Sequence, residues 1–366
     1  MDKLIAVTRS SMPDFQEYVD EIKVLWDNRW LSNRGEIHRK FEKMLQERMG
    51  VEHLSLFANG HVALEVGIDA FHFPKGSEVI TTPYTHCSTT HSIVRNGLVP
   101  VFCDVNDKDY TIDVNQIEKY ITPKTVAIMA THVYGVLCDV DAIDAIAKKH
   151  NLKVIYDAAH AFGVKRNGVD CANFGDMAMF SCHATKVFHT IEGGITVFKD
   201  EEVHKDVDRL TNFGFISHED VGFVSTNARM NEYEAAMGVC NLRHFEDEVA
   251  KRKAASDLYD KMLLGEKGIR KIAPQPGVTQ NYAYYPVFFD GYKYDRNEIQ
   301  EKLKDKLILA RKYFYPIIPD LTCYKEQYGA LDFPVARYAA DKVLALPMFA
   351  DLTEEDVKKI CNIILK

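Results

Sequence analysis

Lys186 stands in the run Phe180-Ser181-Cys182-His183-Ala184-Thr185-Lys186-Val187-Phe188-His189-Thr190-Ile191-Glu192-Gly193-Gly194, between a hydroxyl residue and a Gly pair. About thirty residues earlier, Val154-Ile155-Tyr156-Asp157-Ala158-Ala159-His160-Ala161-Phe162-Gly163 reads as an apolar strand ending in a polar turn. A lysine amine can form a Schiff base with an aldehyde, and an aspartate at a strand end can keep a pyridine nitrogen protonated. Together they are what a pyridoxal phosphate enzyme needs. Alone, each has a plainer explanation, a solvated surface charge for the lysine and a turn residue for the aspartate. Their combination in one chain, with the features that follow, favours the chemical reading.

A phosphate must also be held. Ala58-Asn59-Gly60-His61 places a Gly at a strand-to-helix turn, where free backbone N–H groups and the positive end of a helix face an anion. Ser181, five residues before Lys186, can add a hydroxyl donor, and Tyr84, after a short strand, can lay its aromatic face on a cofactor ring. The plainer roles are a simple turn, a strand-end serine and a core aromatic. No GxGxxG follows a strand and no GxxxxGK[ST] occurs, so dinucleotide and P-loop readings lose their main support. The pairs His86/His91 and His183/His189 lack the spacing of a shared helical metal face, and no metal is expected.

The elements that must position these residues alternate short apolar runs with helical patterns, the mark of an α/β domain with a largely parallel sheet. Strands are predicted at 53–57, 78–80, 99–103, 125–129, 153–156, 177–180 and 195–198, seven in one broad sheet, with helices at 60–71, 140–150 (ended by a left-handed Asn151) and 202–212. A long helical pattern over 231–264 links a large domain, 1–245, to a smaller C-terminal α/β domain, 246–366. There, strands are expected at 284–289 and 307–309, and helices near 296–303 and 354–365.

Composition narrows the function classes. A chain of 366 residues can bury a large core and divide into two domains. With 45 Lys plus Arg against 53 Asp plus Glu, the net charge is −8, and no long basic run invites nucleic acid. The start, Met-Asp-Lys-Leu, lacks a basic region followed by an apolar core, and no apolar stretch approaches the ~18 residues of a membrane span. A cytoplasmic protein with no membrane partner is expected. The eight cysteines are scattered without a CxxC pair, as free thiols in a reducing compartment would be.

These motifs resemble the DegT/DnrJ/StrS family of pyridoxal-phosphate-dependent sugar-nucleotide aminotransferases. The resemblance extends over nearly the whole chain, through Trp30-Leu31-Ser32-Asn33-Arg34-Gly35, Asn59-Gly60, Asp157-Ala158-Ala159-His160, His183-Ala184-Thr185-Lys186, Glu192-Gly193-Gly194 and Asn227-Ala228-Arg229-Met230-Asn231-Glu232. It implies a fold type I aminotransferase, a homodimer with shared active sites and L-glutamate as amino donor. By motif position it implies Lys186 as the Schiff-base lysine, Asp157 as the partner of the pyridine nitrogen and His160 near the ring's phenolic oxygen. Tyr84 would stack on the ring, and Gly60, His61 and Ser181 would bind phosphate, joined by Asn227 of the other subunit. His61 replaces the hydroxyl residue usual in the family, so only its backbone N–H is carried over.

Arg311-Lys312-Tyr313-Phe314-Tyr315-Pro316 resembles the family's substrate segment, with Arg311, Tyr313 and Tyr315 as contacts and 282–285 as a neighbouring wall. The pattern is most similar to members acting on thymidine-diphosphate 4-keto-6-deoxyhexoses in deoxyamino-sugar synthesis for surface polysaccharides. Two alternatives stay open: a 3-keto or UDP-linked sugar as substrate, and a non-catalytic regulatory or binding protein on the same fold. Relatives that dehydrate instead replace the lysine, so Lys186 favours amino transfer.

Overall fold

In a computed structural model, which describes residues 4–366, seven strands form a single sheet. They are β1 (His53–Phe57), β2 (Glu78–Thr81), β3 (Val99–Phe102), β4 (Thr125–Thr131), β5 (Lys153–Asp157), β6 (Met177–Ser181) and β7 (Gly194–Phe198). Their order across the sheet is β1-β7-β6-β5-β4-β2-β3. Pairings from β6 through β5, β4 and β2 to β3 are parallel, and β7 runs against both its neighbours. Strands such as Ile-Thr-Val-Phe in β7 are buried on both faces, which is why they read as near-continuous apolar runs. Residues 1–3, on which the reading of the chain's start partly rests, lie outside the described residues. Among the described residues no helix is long and apolar enough to cross a membrane.

The 231–264 pattern folds as two helices, Glu232–Arg243 and Phe245–Leu263, rather than one. At the break, His244 adopts φ −106° and ψ 4°, and Phe245 turns into the core beside Phe162, 5.1 Å between ring centroids. Periodicity alone cannot register such a break, because both helices keep an apolar side across it. In the C-terminal part, 307–309 does not form the expected strand. Leu307 has φ +58°, outside the extended region, and contact is limited to one bridge between Ile5 and Ile308. The third strand of the small antiparallel sheet is Val343–Leu346, beside Tyr285–Phe289, which in turn pairs with Ile269–Arg270. Ile5 joins the core built by these strands and Phe245–Leu263, so the chain's start packs on its C-terminal part.

Two of the motif runs meet through one carboxylate. Glu232, fully buried, accepts the N–H groups of Gly35 and Ile37 at 2.8 Å and of His38 at 3.2 Å, capping the helix Glu36–Met49 from outside. These orphan donors of the first helical turn have no water to turn to. Glu232→Ala is expected to leave them unpaired, at a cost on the order of 3 kcal/mol. A thermal melt checks this, and an unchanged midpoint would contradict it.

Buried imidazoles set an acid limit. His132 is enclosed against Tyr156, with ring centroids 4.5 Å apart, and burial pushes its pKa down to about 3. Burial and the Arg34 guanidinium push His38 down to about 4. An unfolded histidine titrates near ~6.5. Below that pH the unfolded chain takes up protons that the folded chain refuses, so stability falls as pH drops from 6.5 and is unaffected by these groups above it. Each should remove about 2 kcal/mol by pH 5. Denaturant unfolding at pH 7.5 and pH 5 measures the difference, and equal stabilities would exclude both histidines as the cause.

Candidate active site

Parallel pairing brings the strand ends to one edge. Thr131 closes β4, Asp157 closes β5 and Ser181 closes β6, and register places Asp157 between Thr131 and Met179. The turn after β1 arrives at the same edge, because Gly194 at the start of β7 pairs with both Phe57 and Ser181. A Cβ on Gly194 would sit 2.6 Å from the Asn59 carbonyl oxygen, and one on Gly60 would sit 3.0 Å from the Ser181 Cβ. Only glycine permits that approach. The Asn59 side chain accepts the Val62 N–H at 2.9 Å, leaving the N–H groups of Gly60 and His61 at the open first turn. The His61 ring lies along the helix against Glu65, 3.1 Å away, so its backbone is the part turned to the strand edge.

Lys186 emerges from the loop after β6 and lines one small cavity with His160, Ser181, Thr185 and Tyr284. Burial lowers its pKa, and the Asp157 carboxylate opposes that shift. An amine so placed gives up its proton more readily than a surface lysine. Asp157 is buried, with one oxygen 2.6 Å from the Thr89 hydroxyl and the other accepting the Ala159 N–H at 3.1 Å. His160 Nδ1 accepts the Tyr134 N–H at 3.2 Å, so a neutral ring carries its proton on Nε2 and presents a donor. Burial, then the Lys186 charge, holds its pKa well below the ordinary value. Amine, carboxylate, donor imidazole and helix N-terminus with serine match the aldehyde, ring nitrogen, phenolic oxygen and phosphate of a pyridoxal phosphate.

Tyr84 departs from expectation. It is 0% exposed, edge-on to Tyr110, Tyr134 and Phe314, and its hydroxyl meets that of Tyr134 at 2.5 Å. An enclosed ring has no face left for a ligand, so Tyr84 belongs to the aromatic core. His86, two residues on, is exposed, and loss of hydration followed by the Lys186 charge depresses its pKa while Asp157 raises it. It caps the helix Cys87–Arg95 through Nδ1, which accepts the Ser88 N–H at 3.2 Å. A sequence scan favours the tyrosine as the larger aromatic. Burial encloses the tyrosine and leaves the histidine exposed.

The loop bearing Lys186 is clamped from behind. His189 Nδ1 accepts the Ile191 N–H at 3.2 Å, its Nε2 donates to the Ser11 carbonyl, and its own carbonyl accepts the Asn241 amide at 2.9 Å. Ile191 is held at φ +74°, a left-handed conformation that costs a β-branched residue on the order of 1–3 kcal/mol. The bond to His189 helps to hold it there.

The segment 311–316 faces Thr85, His86 and Cys87 across a groove. Arg311 is anchored through its backbone to Ala345, Tyr313 lines the groove, and Tyr315 is 50% exposed beneath the Arg296 guanidinium, 4.3 Å from its ring. Asn227 is exposed, and its side chain accepts from Arg229 at 3.2 Å. Its chain neighbour Ala228 accepts the Ala58 N–H at 2.8 Å, which sets Asn227 beside the turn that follows β1.

The chain matches the DegT/DnrJ/EryC1/StrS aminotransferase family over residues 14–365. It is 42% identical over 365 residues to a dTDP-4-amino-4,6-dideoxy-D-glucose transaminase of Shigella dysenteriae, covering 100% of this chain and 99% of the relative. An Escherichia coli protein of the same name is 40% identical over 370 residues, covering 100% and 99%. Among solved structures, DesI in the presence of its TDP-sugar product is similar with a TM-score of 0.94 and 29% identity, over 100% of this chain and 93% of that one.

Tyr84→Leu is expected to cost stability, because it removes a buried ring and a hydrogen bond to Tyr134, and to leave the pyridoxal phosphate affinity of the folded protein unchanged. His86→Ala should weaken that affinity. Fluorescence titration of the two variants decides, and the reverse ranking would return Tyr84 to the site.

Proposed function

Because the chain belongs to the DegT/DnrJ/EryC1/StrS aminotransferase family, we propose that it moves an amino group from L-glutamate to C4 of a thymidine-diphosphate 4-keto-6-deoxyhexose, with pyridoxal 5′-phosphate as cofactor. It is a sugar-nucleotide aminotransferase. The observation that carries the reading is the meeting of Lys186 and Asp157 at one buried strand edge, in a chain similar over its full length to two transaminases of that sugar.

When bound, the cofactor supplies an electron sink for the substrate carbon. The chain does the rest. Asp157 would accept the ring N–H and keep the ring positive, while the Nε2–H of His160 would donate to the phenolic oxygen. Gly60, His61 and Ser181 would hold the phosphate through two backbone N–H groups and a hydroxyl, and His86 would supply the aromatic face expected of Tyr84. Lys186 Nζ, with its basicity set by burial and Asp157, would carry the proton that moves between the substrate carbon and the cofactor's aldehyde carbon. Arg311, Tyr313 and Tyr315 line the sugar-nucleotide groove, where cation and aromatic faces suit a nucleoside diphosphate. Asn227, exposed beside the turn after β1, is assigned to the partner's phosphate in a homodimer, as the family resemblance implies.

Incubation of the enzyme with L-glutamate and a panel of keto-sugar nucleotides, read by mass spectrometry, is expected to give the 4-amino product from the thymidine-diphosphate 4-keto sugar. Amination confined to a 3-keto or uridine-linked sugar would overturn the substrate. Lys186→Ala should lose ~10²–10⁴-fold in turnover while still binding the cofactor. Retained turnover would overturn the lysine's role.

A further inference from the structure

Behind Asp157 runs a row of buried hydroxyls that its role as acceptor of the ring N–H does not by itself require. Thr131 Oγ1 lies 3.1 Å from Thr85 Oγ1, which lies 2.8 Å from Thr89 Oγ1, which lies 2.6 Å from Asp157 Oδ2. All four residues are at most 3% exposed. They come from three elements: the end of β4, the turn after β2 together with the helix Cys87–Arg95 that it enters, and the end of β5.

The chemistry of the terminus orders the row. An ionised carboxylate only accepts, so Thr89 must donate to it. With its one hydrogen so used, Thr89 accepts from Thr85, and Thr85 from Thr131. Every hydrogen therefore points toward Asp157, and successive donors polarise one another in a site of low dielectric. Oδ1 is held separately by the Ala159 N–H. Both oxygens are thus tethered, and each keeps lone-pair capacity for one further donor.

We infer that Thr89, backed by Thr85 and Thr131, is a positioning residue that holds the Asp157 carboxylate in the charged, oriented state needed to receive the cofactor's ring N–H. The inference rests on the reading of Asp157 given above. Thr89 touches no reacting atom; it acts through the carboxylate. A valine at 89 keeps the shape and removes the hydroxyl, whereas a serine keeps the hydroxyl and removes a methyl.

The test compares the affinity of the apoprotein for pyridoxal 5′-phosphate with its affinity for the carbocyclic analogue in which carbon replaces the ring nitrogen. Thermal melts of the apo variants report folding. The wild type should prefer the natural cofactor. Thr89→Val should lose roughly tenfold or more of that preference, the value of a hydrogen bond to a charged group, through weaker binding of the natural cofactor only. Thr89→Ser should restore it. Thr85→Val, which cuts the row one step back without touching Asp157, should move the ratio in the same direction by less, and it serves as the test if Thr89→Val does not fold. An unchanged ratio in the folded valine variants would overturn the inference, as would equal losses for both cofactors. Asp157→Asn separates the layers. If it abolishes the preference while the valine variants keep it, the hydroxyl row alone is refuted. If it too leaves the preference intact, the Asp157 reading falls with it.

Discussion

Parallel pairing of β4, β5 and β6 is the constraint on which the rest of the molecule depends. Parallel strands end together, and hydrogen-bond register then fixes which residues end side by side: Thr131 against Asp157, Asp157 against Met179. Each strand's connection leaves from that same edge, so turns far apart in the chain meet there without further instruction. The single reversed strand, β7, adds the last piece. Its first residue lies between the ends of β1 and β6 and brings the Asn59-Gly60 turn up to Ser181.

Electrostatics at that edge follows from dehydration. Burial is the main cause that lowers the pKa of Lys186 and of His160, and the carboxylate of Asp157 pulls Lys186 back up. The result is an amine less basic than usual beside an imidazole kept neutral, an arrangement suited to proton movement near neutral pH. Backbone partners at Nδ1 hold His160 as an Nε2–H donor. The Lys186 loop is held from outside as well, through His189 to Ser11, so the chain's start braces the site as well as packing on the C-terminal sheet.

Much of the fold was legible because strands buried on both faces leave a plain mark. All seven strands of the sheet were readable as apolar runs, and Asn151 takes the left-handed conformation expected of it at φ 54°. The misreadings have a common cause. The strand at 307–309, the single helix over 231–264 and the stacking role of Tyr84 follow from local pattern, whereas a positive φ at Leu307, a turn of Phe245 toward Phe162 and complete enclosure of Tyr84 decide those positions. Thr85, Thr89 and Thr131 carried no signal, since a threonine near a strand end or a helix start is among the commonest of residues.

The sequence by itself determined the class of chemistry and the sheet. Both depend on residue types at short range: an amine, a carboxylate, a glycine turn and runs of apolar residues. Tertiary structure decided that Tyr84 is enclosed while His86 is exposed, and how the Asp157 carboxylate is held. Those depend on contacts between segments tens of residues apart, where enclosure from water and the direction of each hydrogen bond, rather than residue identity, set what a side chain can do.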